Sequence, residues 1–127
     1  MRRFLLTLTI VVFLAGCAPT ATTPLHTSGI EGTVTLGPQC PVEQANAPCP
    51  NQPYQATIVI LDSSGAELAR AQSDALGKFK VALNPGTYTL RPLPPQGQPL
   101  PFASEQTVTV VAQSFTVVGI VYDSGIR

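Results

Sequence analysis

The residues in this chain best suited to chemistry are its three cysteines, Cys17, Cys40 and Cys49. The last two close the stretch CPVEQANAPCP, residues 40–50. Thiols so placed could hold a metal, cycle as a redox pair, or join as a covalent staple. Zinc needs about four nitrogen or sulfur ligands, and His26 is the single histidine. A redox dithiol normally sets its sulfurs two residues apart, whereas eight residues intervene here. A staple requires an oxidising compartment, so the choice depends on where the chain resides. A Ser-His-Asp arrangement would have to use His26, which sits in APTATTPLHTS, residues 18–28, a Thr- and Pro-rich stretch that reads as a flexible spacer. The carboxylates Glu31, Glu43, Asp62, Glu67, Asp74, Glu105 and Asp123 are scattered, and each is explained as a solvated strand residue or a turn former. Asp74 is expected to cap its own turn. The expectation is a chain that is not an enzyme, with no catalytic residues, metal or cofactor.

The N-terminus answers the compartment question. Arg2 and Arg3 precede the apolar run FLLTLTIVVFLA, Phe4 to Ala15. That run is too short to cross a bilayer, which takes roughly 20 residues, and has the proportions of an export signal. LAGC, Leu14 to Cys17, follows directly and resembles the lipobox of bacterial lipoproteins. The resemblance implies cleavage before Cys17, a diacylglycerol on its sulfur, and commonly a third acyl chain, such as palmitate, on the new amino group. Residues 1–16 are then a lipoprotein signal peptide and residues 17–28 the lipidated cysteine and its tether. Two or three chains hold a protein firmly, where one holds it only marginally. The mature protein is expected in the cell envelope, on the outer face of the cytoplasmic membrane or in the outer membrane. Ala18, in place of Asp after the cysteine, resembles outer-membrane sorting.

With Cys17 committed to lipid, Cys40 and Cys49 remain outside the cytoplasm as the one pair able to form a disulfide. Pro41, Pro48 and Pro50 stiffen the same loop by fixing φ. Processing also shifts the charge. Of seven basic residues, Arg2 and Arg3 leave with the signal, so five face seven acidic ones. Nucleic-acid binding needs a concentrated cationic surface, and this balance argues against it.

From Gly29 onward the pattern is that of short strands. In GIEGTVTL, 29–36, Ile30, Val34 and Leu36 share one face while Glu31, Thr33 and Thr35 share the other. YQATIVIL, 54–61, is β-branched and nearly continuous in apolar residues, as an inner strand would be. Asp62-Ser63-Ser64-Gly65 is a turn. AELARAQS, 66–73, has helical propensity but lies between two turn signals and is read as a strand. In SDALGKFKVALNPGTYTL, 73–90, Asp74 and Gly77 bracket a turn, and Phe79, Val81 and Leu83 alternate with Lys78 and Lys80. Asn84-Pro85-Gly86 suits a type II turn, with Tyr88 and Leu90 returning to the core. QTVTVV, 106–111, and SFTVVGIVY, 114–122, complete about seven strands, and the last, apolar on both faces, is expected to lie centrally or be covered. The fold class expected is all-β: a single antiparallel β-sandwich over residues 29–127.

SDALGKFKVALNPGTYTL, after a GIEGTVTL-type first strand, resembles the carboxypeptidase regulatory-like domain of the transthyretin-like, or prealbumin-like, sandwiches. Asp74, Gly77, Phe79, Pro85, Gly86, Tyr88 and Leu90 occupy the places of that pattern. The resemblance implies an accessory, adhesive or spacer module. Related pilin-like modules with internal isopeptide bonds use a lysine on the first strand, and strand 29–36 has none. Hydroxyisourate-hydrolysing relatives end in Tyr-Arg-Gly-Ser and use histidine, whereas this chain ends DSGIR. The combined expectation is a membrane-anchored envelope lipoprotein whose sandwich binds or scaffolds, with membrane lipid as one partner and an envelope protein or glycan as the other. The alternative is a surface-displayed protease inhibitor using the stapled loop. RPLPPQGQPLPF, 91–102, is a proline-stiffened surface loop, and Asp123 and Arg127 are expected to pair at the C-terminal end of the last strand.

Overall fold

A computed structural model describes residues 27–127, which form eight strands: β1 Gly29–Gly37, β2 Gln52–Pro53, β3 Thr57–Leu61, β4 Glu67–Gln72, β5 Lys78–Ala82, β6 Gly86–Pro92, β7 Gln106–Val110 and β8 Phe115–Asp123. Among the described residues there is no helix. The strands make two four-stranded sheets, as a sandwich requires. One sheet has the order β4-β3-β6-β7, antiparallel throughout. The other is built around β1. Along one edge of β1 lie β5 and then β2, end to end and antiparallel to it. Along the other edge β8 runs parallel to β1 over its whole length, Gly29 against Phe115 through Gly37 against Asp123.

The alternation in the sequence becomes the core. Ile30 and Val34 of β1, Phe79 of β5, and Ile120 and Tyr122 of β8 face Ile58 and Ile60 of β3, Tyr88 and Leu90 of β6, and Val108 and Val110 of β7. Burying a side chain of this kind stabilises by about 1.5–3 kcal/mol, so this layer is the main source of folding energy. β3 is inner, as its apolar run implies, and both its faces are covered. Val59 points away from the core yet is 4% exposed. It stands in register between Arg70 of β4 and Arg91 of β6, whose long stems cover it. The buried polar side chains Ser28 and Ser73 are both partnered. Ser28 Oγ donates to the Leu83 carbonyl at 2.7 Å, and Ser73 Oγ donates to the Tyr54 carbonyl at 2.8 Å while accepting from the Ala56 N–H at 2.8 Å.

Within 66–73 the strand is β4, Glu67–Gln72: Ala69 and Ala71 pair with Ile60 and Ile58, and a bulge at Ile60/Leu61 leaves Leu68 outside the ladder and exposed. Three expectations need correction. The ladder of β3 begins at Thr57, because Tyr54–Ala56 is instead tied to Ser73. The last strand is not central but the edge of its sheet, and Val117 and Val121 on its outward side are 75% and 56% exposed. Asn84-Pro85-Gly86 is not a type II turn. Gly86 has φ 159°, nearly extended, and already begins β6. The Asn84 carbonyl such a turn would use accepts from the Tyr88 hydroxyl at 2.7 Å, while Thr87 is paired with Thr109 of β7.

Two other turns share one design. In Asp62–Ala66 and Asp74–Lys78 the aspartate carboxylate accepts from the backbone N–H two and four residues on, at 2.8–3.1 Å. A glycine at the fourth position takes φ +83° (Gly65) or +73° (Gly77). The two glycines differ in surroundings. A Cβ on Gly65 would meet open space, whereas one on Gly77 would lie 2.2 Å from the Val34 carbonyl oxygen. Gly65→Ala is therefore expected to cost about 1–2 kcal/mol from the left-handed backbone alone. Gly77→Ala should cost roughly 3 kcal/mol or more, since the β4–β5 connection must also move off β1. Urea denaturation of the two variants measures the difference, and equal losses would refute the contact.

Candidate functional site

Strand directions sort the loops between two poles. The chain enters β1 at Gly29 and leaves at Gly37, about 26 Å further on for eight strand steps. β8 begins beside Gly29, so β7, which feeds it, ends at the near pole, and antiparallel β6 ends at the far one. By the same reasoning β4 ends at the far pole. The stapled loop 38–51, the turn 73–77, the proline-rich segment 93–105 and the tail 124–127 therefore all emerge opposite the end where residue 27 lies.

The stapled loop, the proline-rich segment and the tail are bound to one another. The Ser124 N–H donates to the Gly37 carbonyl at 2.9 Å, and its hydroxyl to the Pro38 carbonyl at 2.6 Å. Phe102 and Asp123 exchange two backbone hydrogen bonds, at 3.1 and 2.7 Å. The fully buried Tyr122 reaches from β8 to donate its hydroxyl to the Leu93 carbonyl at 2.8 Å, and its ring packs on Tyr54 at 4.9 Å between centroids. Burial first, and then the neighbouring Tyr54, push the Tyr122 phenol up to about 12. The tail thus serves as the seam between the stapled loop and the proline-rich segment.

The structure joins Cys40 to Cys49, with Cα atoms 6.1 Å apart. Within the loop the Ala47 N–H donates to the Gln44 carbonyl at 3.0 Å, so the chain turns back on itself before the second cysteine. Val42 in this loop is 75% exposed, and Leu76, Leu100 and Phe102 at the same pole are also exposed. A shallow groove of about 290 Å³ runs between Tyr54–Thr57 and Leu93–Gln96. Asp123 and Arg127 pair as expected, with guanidinium–carboxylate distances of 3.0 and 2.7 Å. The Arg127 hydrogen bonds, and then the Gly125 N–H, hold the Asp123 carboxyl down at about 2.

The other concave surface, about 520 Å³, lies on the outer side of the β1 sheet among Glu31, Thr33, Asp74, Lys78, Lys80 and Val117. Its polar groups are spent on one another: Lys80 pairs with Glu31 at 3.3 Å and Lys78 reaches the Thr33 hydroxyl at 3.4 Å. Among the described residues no three His, Cys, Asp or Glu side chains are gathered so as to hold a metal ion. The far pole offers apolar side chains and backbone groups on a braced frame. Cys17, His26 and the signal peptide lie outside the described residues. The sequence reading found the staple and the Asp123–Arg127 pair, but missed Tyr122 and Ser124 as the seam. Tyr122 carried one usable signal: a phenol on an inward parity needs a buried acceptor.

Comparison with known proteins places the N-terminus first. The pattern of a prokaryotic membrane lipoprotein lipid attachment site matches residues 1–18. The chain is a lipid-anchored protein of the cell envelope. No curated protein matches the sequence. Among solved structures, the sandwich is similar to GBS52, the minor pilin of Streptococcus agalactiae, with a TM-score of 0.56 at 13% identity, over 76% of this chain and 44% of that one. It also aligns with the Bacillus anthracis TIE protein, with a TM-score of 0.46 at 20% identity, over 76% of this chain and 17% of that one. The chain spans under half the length of the pilin it matches, and at this identity the likeness is one of fold.

Two measurements follow from this geometry. Replacing both Cys40 and Cys49 by Ala should lower stability by about 2.5–3 kcal/mol, the chain-entropy value for a loop of this size. Urea denaturation reads it, and an unchanged midpoint would show that the staple constrains nothing. For Asp123, the folded value lies below the ordinary aspartate value of 3.8, so its contribution is present above about pH 4 and is lost as pH falls toward 2. Arg127→Ala should move the Asp123 midpoint upward in a carboxyl NMR titration, toward but not fully to 3.8, because the Gly125 N–H remains.

Proposed function

We propose that this lipoprotein is a non-catalytic binding or scaffolding module that displays its far pole to another envelope component. The observation that carries the reading is the opposition of the two ends. The chain leads from the attachment site into β1 at one pole, while the stapled loop, the proline-rich segment and the exposed Val42, Leu100 and Phe102 gather at the other. Exposed apolar side chains on a braced frame are what protein contact surfaces use. The sandwich shared with a minor pilin, and the carboxypeptidase regulatory-like pattern from Asp74 to Leu90, support a structural role over a chemical one. Cys17 carries the acyl chains in this reading, and Ala18 favours the outer membrane in a host that has one.

The protease-inhibitor reading draws less support from the stapled loop. Its Gln44–Ala47 hydrogen bond turns the exposed backbone back on itself, where strand-addition recognition takes an extended segment.

Cys17→Ser should release the protein from the membrane fraction, and unchanged partitioning would refute acylation there. Cross-linking in native envelopes should capture a partner with the wild-type protein that is lost with Val42→Glu combined with Phe102→Glu. Both side chains are exposed, so the fold should survive. Retention of every partner by the double variant would overturn the far pole as the contact surface.

A further inference from the structure

The near pole is more than the end where the tether enters. Ser28 and Gly29 are clamped between two loops: Ser28 exchanges hydrogen bonds with Leu83, Oγ to carbonyl at 2.7 Å and Leu83 N–H to Ser28 carbonyl at 3.1 Å, and the Gly29 N–H reaches the Ser114 carbonyl at 3.2 Å. The surface around this clamp is formed by Asn84–Thr87 and Val111–Ser114, all exposed and none charged. Val111 is 55% exposed, with Pro85, Ala112 and Gly86 beside it in the same two loops. The nearest carboxylate of the bordering turns, Asp62, follows a strand that ends opposite Thr89, set back from Gly86, and is folded into its own turn by Ser64 and Ala66. Glu31 and Lys80, the first charges along the β1 sheet, are paired with each other.

We propose that this uncharged pole rests on the bilayer that carries the anchor, with the Val111–Gln113 turn in the headgroup layer. The inference depends on the lipid-anchor reading. Nine residues, 18–26, separate Cys17 from Thr27, and a chain of that length reaches at most about 35 Å. The near pole is thus kept within that reach of the lipid surface, and the far pole lies a strand length further along the chain's path. Desolvation at the apolar boundary of the bilayer costs more for charged or unpartnered polar groups than for partnered ones. Four carbonyls around the turn are already taken: Asn84 by Tyr88, Leu83 by Ser28, Ser114 by Gly29, and Thr109 by the Thr116 hydroxyl at 2.7 Å. A net negative domain would be pushed from an anionic leaflet, but Glu31 and Glu67, which border this pole, are each paired with a cation, Lys80 and Arg70. Weak apolar contact suffices, because the anchor keeps the local lipid concentration high.

The test uses the full acylated chain in phosphatidylethanolamine–phosphatidylglycerol vesicles, with an environment-sensitive fluorophore on Ala112→Cys or, for comparison, on Val42→Cys. Labelling is done without reduction, so that the Cys40–Cys49 bridge stays closed. Flotation with the vesicles reports anchoring separately from pole contact. The inference expects flotation of both proteins, a blue-shifted emission at 112, and iodide quenching there roughly threefold weaker than at 42. Ala112-labelled protein carrying Val111→Glu should lose that protection while still floating. Flotation with equal quenching at the two positions would overturn the pole contact and leave the anchor intact. Failure to float would remove both.

Discussion

β1 and β8, the first and last strands, pair along nine residues, and the rest of the sandwich hangs on that ladder. Parallel neighbours cannot be joined by a tight turn and need a long crossover. Here the crossover is everything between them: both other neighbours of β1 and the entire second sheet. The pairing brings Ile120 and Tyr122 over Ile30 and Val34 to close the core from one side. It also fixes polarity, since a last strand running with the first delivers the C-terminal tail to the pole where β1 ends. From there Ser124 can bind Gly37 and Pro38, and Tyr122 can hold Leu93. Glycines make the close approach possible. A Cβ on Gly32 would lie 2.2 Å from the Val118 carbonyl across the same ladder.

What was legible in the sequence was local. A period of two in GIEGTVTL and KFKVAL gave β1 and β5 their faces, and Asp-x-x-Gly at 62–65 and 74–77 gave both turns, because an aspartate can serve its own backbone and a glycine can take positive φ. The staple was legible because outside the cytoplasm one unclaimed pair leaves one pairing. The readings that failed depended on distant partners. Pro85-Gly86 has the composition of a type II turn, yet the Tyr88 hydroxyl takes the Asn84 carbonyl and β7 takes Thr87, so the segment is pulled straight. β2, two residues long, exists because Thr35 and Leu36 had an open edge past the end of β5, and no pattern in Gln52-Pro53 announces that. β8 looked central because it is apolar on both faces. Periodicity reports what a strand contains and not which edges it pairs.

That apolar edge raises a question which the anchor sharpens. Lipid attachment concentrates copies on one surface, where an unpaired strand is a template for association. The β7 and β8 edges meet at the side of the sandwich, and side chains spend their free backbone acceptors. Gln106 Nε2 donates to the Gly119 carbonyl at 3.1 Å, the Thr116 hydroxyl takes the Thr109 carbonyl, and the Phe102–Asp123 bridge closes the far end of β8. On the opposite edge β4 carries the Glu67–Arg70 ion pair and a bulge, both of which spoil a flat docking register. Outward Val117 and Val121 remain exposed, but on a face whose neighbouring row is the Lys80–Glu31 pair and threonines. With the β4, β7 and β8 edges guarded in this way, the two poles remain open to contact. One is uncharged and adjoins the tether, and the other is braced by a disulfide and a buried tyrosine; the roles proposed for them, lipid for the first and a partner for the second, rest on the chain's direction through β1.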